Sequence, residues 1–308
     1  MNKKKLHFIN QIVLITTWLL TNNNLQINAA ENAPSDTNQH KQVKTTENKS
    51  SAIKYFNLGI QSLEKKEHKN AVKYFTESIK FDNKNAGTYY NRGIAKTNIG
   101  DKKGAIFDFT QAIKLKPKYT AAYNNRGNIL SSMGQKKEAI ADFTQAIKID
   151  PKYTTAYLNR GANLADIGKK KEALADFNQA IKLNSKYGDA YYNRGIVRAG
   201  LGDKKGALQD FTAAININPK DAESYNNRGV IKSGLGDKKG ALNDYSQAIK
   251  IKENYAKAYY NRAGVKINLQ DKKGAIADLI KAAELFKDQG NESNYQEAIN
   301  KIKVLAGN

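Results

Sequence analysis

The sequence predicts an all-α protein, a solenoid of about seven 34-residue helix-turn-helix repeats closed by a C-terminal capping helix. Three observations predict it. Arg92, Arg126, Arg160, Arg194, Arg228 and Arg262 stand 34 residues apart, each preceded by an asparagine. Small and aromatic residues keep the same step: Ala105 to Ala275, then Phe109, Phe143, Phe177, Phe211, Tyr245 and Leu279, then Ala112 to Ala282. Five units are interrupted by a glycine, at Gly100, Gly134, Gly168, Gly202 and Gly236, and three are closed by a loop that holds Pro117, Pro151 or Pro219, which divides a unit into two helices.

Within a unit the pattern has the helical period. Thr88 to Ile99 sets Tyr89, Arg92, Gly93 and Lys96 on one face. Gly100 supplies a left-handed stop, and Asp101 an N-cap for a second helix carrying Ala105, Ile106, Phe109, Ala112 and Ile113. Mid-helix glycine costs about 1 kcal/mol relative to alanine. The recurrence of Gly93, Gly127, Gly161, Gly195 and Gly229 therefore predicts a ring of the second helix lying directly over them. One helix pair cannot bury its apolar face alone, so the copies must stack. A diverged first copy keeps Gly59, Ala71 and Phe75 in frame, and the last reads Ala263-Gly264, a shift expected to loosen its packing. The repeats span 52–289. In 290–308, Ser293 with Gln296 has capping-box spacing, and Tyr295, Ala298, Ile299, Ile302 and Leu305 form one apolar side, as a terminal cap requires.

The chain begins with Lys3, Lys4 and Lys5, an apolar stretch from Phe8 to Leu20, and Ala29-Ala30. This reads as a cleavable signal peptide over 1–30, and the protein is expected to be exported, periplasmic or secreted; an uncleaved tether is the alternative. Residues 31–51 hold Val43 as the one sizeable apolar residue before Ala52 and read as a flexible leader.

The 308 residues carry no cysteine and three scattered histidines, His7, His40 and His68. Disulfides, thiolate or histidine metal sites and Cys-based catalysis are excluded on that count. No catalytic group, metal or cofactor is expected, and no repeat departs from the pattern to build a unique site. The net charge of +22 forecasts attraction to anionic surfaces. Lysine pairs from Lys102-Lys103 to Lys272-Lys273 open the second helices, where cations oppose the dipole, so helix stability does not explain them. They read as a solvated face or a basic ridge for an anionic envelope surface. Nucleic acid is disfavoured, because no aromatics interleave with the lysines.

Six of the seven arginines occupy one repeat position, and an aspartate follows each sixteen residues later: Asp108, Asp142, Asp176, Asp210, Asp244 and Asp278. In the first copy both are replaced together, by Leu58 and Tyr74. The pattern predicts bidentate Arg–Asp pairs between the helices of a unit or between neighbouring units.

The arrangement resembles the tetratricopeptide repeat (TPR) family, whose frame of aromatic, Gly, Ala, aromatic, Ala and Pro is matched by Tyr89, Gly93, Ala105, Phe109, Ala112 and Pro117. Its Asn-Arg-Gly variant looks like a bacterial subtype. The resemblance implies a right-handed superhelix whose first helices line a concave groove, and a non-catalytic scaffold for protein or peptide clients, of which an assembly factor is one kind. Two departures stand out: arginine replaces the usual leucine before glycine, and Lys96, Leu130, Leu164, Arg198, Lys232 and Lys266 replace a tyrosine. By the same resemblance Asn91, Asn125, Asn159, Asn193, Asn227 and Asn261 would form a ladder along an extended peptide, as matching asparagines do in O-linked N-acetylglucosamine transferases. The alternative for these asparagines is an intramolecular role. The oligomeric state is not legible in the sequence.

Overall fold

Helix A of each unit binds its helix B through the small-over-large contact read in the sequence. The computed structural model describes residues 36–307, with side chains from residue 45, and the described residues contain no strand. The first unit comprises the end of α1 (Asp36–Glu64) and α2 (His68–Phe81). Six further A–B pairs follow: α3 (Ala86–Asn98) with α4 (Lys102–Leu115), α5 (Thr120–Ser132) with α6 (Lys136–Ile149), and α7 (Thr154–Asp166) with α8 (Lys170–Leu183). The others are α9 (Gly188–Ala199) with α10 (Lys204–Ile217), α11 (Ala222–Gly234) with α12 (Lys238–Ile251), and α13 (Ala256–Asn268) with α14 (Lys272–Asp288); α15 (Glu292–Ala306) closes the array.

A methyl group on Gly93 would stand 2.8 Å from the Phe109 ring, and one on Gly127 or Gly161 equally close to Phe143 or Phe177. These rings are essentially buried, as are Ala105, Ala112 and their equivalents. The last unit is not loosened. Ala263 and Leu279 are both fully buried in one cluster, because the branched leucine leaves room for a methyl that a ring would not. Each B helix then packs on the next A helix, α4 on α5 through α12 on α13, which propagates the stack. Successive A helices also approach one another (α5–α7, α7–α9, α9–α11, α11–α13), whereas successive B helices make no comparable approach. The A side is therefore the inner, concave side of the array.

Left-handed glycines end the A helices at Gly100, Gly134, Gly168, Gly202 and Gly236, all with φ between 81° and 88°. At the two ends of the array, Lys66 and Gln270 hold this conformation without being glycine. Asp101 caps α4 by accepting from the Gly104 amide at 2.9 Å, as read in the sequence.

Two boundaries differ from the sequence reading. Helix α1 starts at Asp36, inside the stretch read as a flexible leader; residues 36–58 contain neither proline nor glycine, and extending a helix already held by Phe56, Ile60 and Leu63 requires no new nucleus. The cap of α15 is Asn291 rather than Ser293: its side chain accepts from the Asn294 amide at 3.3 Å, directly after the left-handed Gly290. The signal segment over 1–30 lies outside the described residues. Among the described residues no helix is long and apolar enough to cross a membrane.

Candidate functional site

The arginine position is structural on both sides. In the second unit Arg92 donates from Nε to Asp108 Oδ2 at 2.9 Å and from Nη2 to Oδ1 at 2.7 Å, joining α3 to α4. Its Nη1 reaches back to Thr76 Oγ1 at 3.1 Å on the preceding B helix, and its guanidinium lies over the Tyr89 ring at 5.6 Å. The arrangement repeats with Arg126–Asp142, Arg160–Asp176, Arg194–Asp210, Arg228–Asp244 and Arg262–Asp278. Both alternatives read from the sequence are therefore realised, by different nitrogens of one guanidinium. Only a planar fork with a third donor can serve both partners, which explains why lysine never occupies the position.

The residues replacing the family tyrosine supply a second cation. Lys96, Arg198, Lys232 and Lys266 join Asp108, Asp210, Asp244 and Asp278 at 2.8–3.0 Å. The third and fourth units carry Leu130 and Leu164 there, so Asp142 and Asp176 rely on their arginine.

The lysine pairs divide into two roles. The first lysine crosses to the next unit and donates to the carboxyl end of its A helix: Lys102 to Ser132 O at 3.4 Å, Lys170 to Gly200 O at 3.0 Å, Lys204 to Gly234 O at 3.1 Å and Lys238 to Asn268 O at 3.2 Å. Lys136 instead meets the Asp166 carboxylate at 2.7 Å. Stability does explain these lysines: the relevant dipole is the neighbour's negative end, which a single helix does not reveal. The second lysines, Lys103, Lys137, Lys171, Lys205, Lys239 and Lys273, are exposed and enter no ion pair among the described residues.

The asparagines behave unevenly. Asn125 Nδ2 donates to the Tyr90 hydroxyl at 3.0 Å, and Asn159 Nδ2 to Asn124 Oδ1 at 3.1 Å, while Asn124 itself donates to Asn125 Oδ1 at 3.4 Å. A relay Asn159–Asn124–Asn125–Tyr90 thus ties the A helices of units two to four. Three units later the relay recurs as Asn261–Asn226–Asn227–Tyr192, with bonds of 2.9, 3.3 and 3.3 Å. In every case the partner sits 35 residues earlier, on the preceding A helix. In that register the residues 35 positions before Asn91 and Asn193 are Phe56 and Leu158, whose side chains accept nothing, and among the described residues these two amides make no such bond. The intramolecular alternative therefore accounts for four of the six asparagines, and two are left over.

Units five and six differ from the others on the concave side. Asp189 and Glu223 replace the Gly87, Ala121, Thr155 and Lys257 of the other units, and Asp221 stands where four units have a tyrosine. The departure is three substitutions scattered over 35 residues, which stacking brings together around Tyr192. Burial, then the charges of Asp221, Glu223 and Asp189, push the Tyr192 hydroxyl up to about 12. Asp221 is itself held above the usual carboxylate range, first by burial, and it accepts from Ser224 Oγ at 2.5 Å. Burial also acts upward on Glu223, but its ion pair with Lys252 at 3.0 Å outweighs it and brings the carboxyl below its usual value. One turn beyond Asn193 and Asn227, Ile196 and Val230 are 43% and 45% exposed. Neither residue stands out in the sequence, because the 34-residue frame does not keep its type.

At the closed end, Lys257, Tyr260, Asn261, Phe286 and Asn294 line a cavity of about 280 Å³ between α13, α14 and α15. Tyr260 donates to Glu297 of the cap, and Lys301 lies over its ring. Among the described residues no group of histidine, aspartate and glutamate side chains is placed to hold a metal ion.

Tetratricopeptide repeat models match residues 86–119, 120–153, 188–221, 222–255 and 256–289, and a TPR repeat model matches 163–202. Similar solved structures include YrrB, described as a TPR protein with an unusual peptide-binding site, at 24% identity over 60% of this chain and 95% of that one, TM-score 0.51. A tetratricopeptide repeat protein from Parabacteroides merdae aligns at 18% identity over 81% of this chain and 99% of its own, TM-score 0.64. MamA aligns at 27% identity over 56% of this chain and 94% of its own, TM-score 0.50. No curated protein sequence matches the chain. With the repeat frame, the A–B packing and these matches in agreement, the chain belongs to the tetratricopeptide repeat family, a scaffold for protein–protein interaction.

Proposed function

We propose that this scaffold captures extended polypeptide segments along the concave face of its A helices, as a non-catalytic, exported assembly factor. The observation that carries the reading is the pair Asn91 and Asn193, which share the repeat position of the relay asparagines on the A helices and are half-buried, with no hydrogen bond to their amides among the described residues. An amide offers donor and acceptor together and so suits a peptide unit whatever its side chain. The peptide-binding site named for YrrB is consistent with such use of the fold. Export rests on Lys3 to Lys5, the Phe8–Leu20 stretch and Ala29-Ala30. The test is a pull-down from envelope extract at low and moderate salt with wild type and with Asn91→Ala/Asn193→Ala. Loss of clients in the variant at both salts supports groove capture; unchanged capture rejects it.

A second reading is favoured by the six second lysines, exposed, in no ion pair among the described residues and recurring at one repeat position. They would hold an anionic envelope surface. Their attraction is screened within roughly 10 Å at 0.1 M salt, so binding that fails at moderate salt and after Lys→Gln changes at these six positions would mark the edge as the functional surface.

A further inference from the structure

We infer that the concave surface of units five and six is a selective subsite for a polypeptide segment with a lysine or arginine close to an aliphatic residue. This rests on the groove-capture reading and deepens it. On α9, Asp189, Asn193 and Ile196 share one helix face at i, i+4 and i+7; on α11, Glu223, Asn227 and Val230 do the same. The two helices are neighbours. Side by side they present a row of carboxylates, a row of amides and a row of aliphatic groups.

The features are local. The positions equivalent to Ile196 and Val230 hold Ile94, Asn128, Ala162 and Gly264 elsewhere, and Ile196 and Val230 alone among the six are strongly exposed. Carboxylates occupy the Asp189 position in these two units only, within a chain of net charge +22. Asn193 is the unpartnered amide of the pair, since Leu158 breaks the relay between its two blocks. Glu223 is engaged by Lys252, whereas Asp189 is exposed and in no ion pair among the described residues.

Each feature fixes one property of the occupant. Ile196 and Val230 leave apolar surface in water that an aliphatic side chain would cover. Asn193 would hold the backbone between. Asp189 meets the cation, and its charge rejects acidic segments that the rest of this basic protein attracts. Seven helical residues rise about 10 Å, and three extended residues span the same length, so the cation lies within about three residues of the aliphatic group.

The test uses the full chain and a phage-displayed library of random 12-residue peptides, selected in 150 mM NaCl. The expected recovered peptides place Lys or Arg within three residues of Leu, Ile or Val. A fluorescent synthetic copy should bind at least tenfold more weakly to Asp189→Lys and to Ile196→Ser/Val230→Ser, with helical circular dichroism and melting unchanged. A copy with glutamate in place of the basic residue should bind Asp189→Lys better than wild type. Recovered peptides without this pairing, or equal binding to wild type and Asp189→Lys, overturn the subsite while leaving groove capture intact. Recovery of no peptide by the wild type overturns groove capture itself, and the subsite with it.

Discussion

Arg160 grips Asp176 through two parallel hydrogen bonds, Nε to Oδ2 at 2.8 Å and Nη2 to Oδ1 at 2.7 Å, and among the described residues no second cation supports the carboxylate. In the second unit Asp108 has both Arg92 and Lys96. Removing one partner of a buried pair leaves an uncompensated charge and costs about 3–5 kcal/mol. Arg160→Leu should therefore destabilise by about that much, and Arg92→Leu by less. The double change Arg160→Leu with Asp176→Tyr, copying the first unit, should recover part of the loss. Urea melts of the three variants check this; equal effects of the two arginine changes would remove the role assigned to Lys96.

Lys170 and Lys171 are adjacent yet have different expected effects. Lys170 donates to Gly200 O at the end of α9, so Lys170→Ala should cost about 0.5–1 kcal/mol. Lys171→Ala should stay within about 0.5 kcal/mol. Denaturant titration at low salt separates them.

Asn125 has partners on two sides, Tyr90 and Asn124. Asn125→Ala should destabilise by about 1–3 kcal/mol by leaving those buried groups unpaired. Asn193→Ala, with no partner to strand, should melt like the wild type. Replacing Asn159, Asn193 and Asn227 together, as a sequence-based ladder would invite, is not a clean binding test, because Asn159 and Asn227 belong to the relays.

Gln270 holds a left-handed conformation at φ 63° where five other units use glycine. Left-handed backbone costs a non-glycine residue about 1–2 kcal/mol. After the greater unfolded-state freedom of glycine is subtracted, Gln270→Gly should stabilise by about 0.5–1 kcal/mol, seen as a raised denaturant midpoint.

Alkaline stability follows from the tyrosines. Burial raises Tyr119 and Tyr192 from the ordinary 10 to about 12. Their folded pKa lies above the unfolded one, so the native state favours the neutral phenol. The contribution is fully present below pH 10 and is lost as pH rises from 10 through about 12. Midpoints of urea unfolding measured between pH 9 and 12 should fall across that window, with Tyr192→Phe removing part of the slope.

What the sequence determined by itself was everything that repeats at a fixed step within one unit: the 34-residue frame, the helix pair, Gly93 beneath Phe109, and Arg92 with Asp108. These contacts recur six times at constant separation, so periodicity alone displays them. The tertiary structure decided what depends on the neighbour. Asn125 finds Tyr90 one residue outside the repeat step, and Lys170 finds a carbonyl thirty residues on, offsets that no single helix face reveals. Asp189, Asp221 and Glu223 share no motif and come together only because α9 and α11 stack. A side chain's partner in a solenoid is set by the rotation between units, and that rotation arises from packing the whole interface rather than from any one residue.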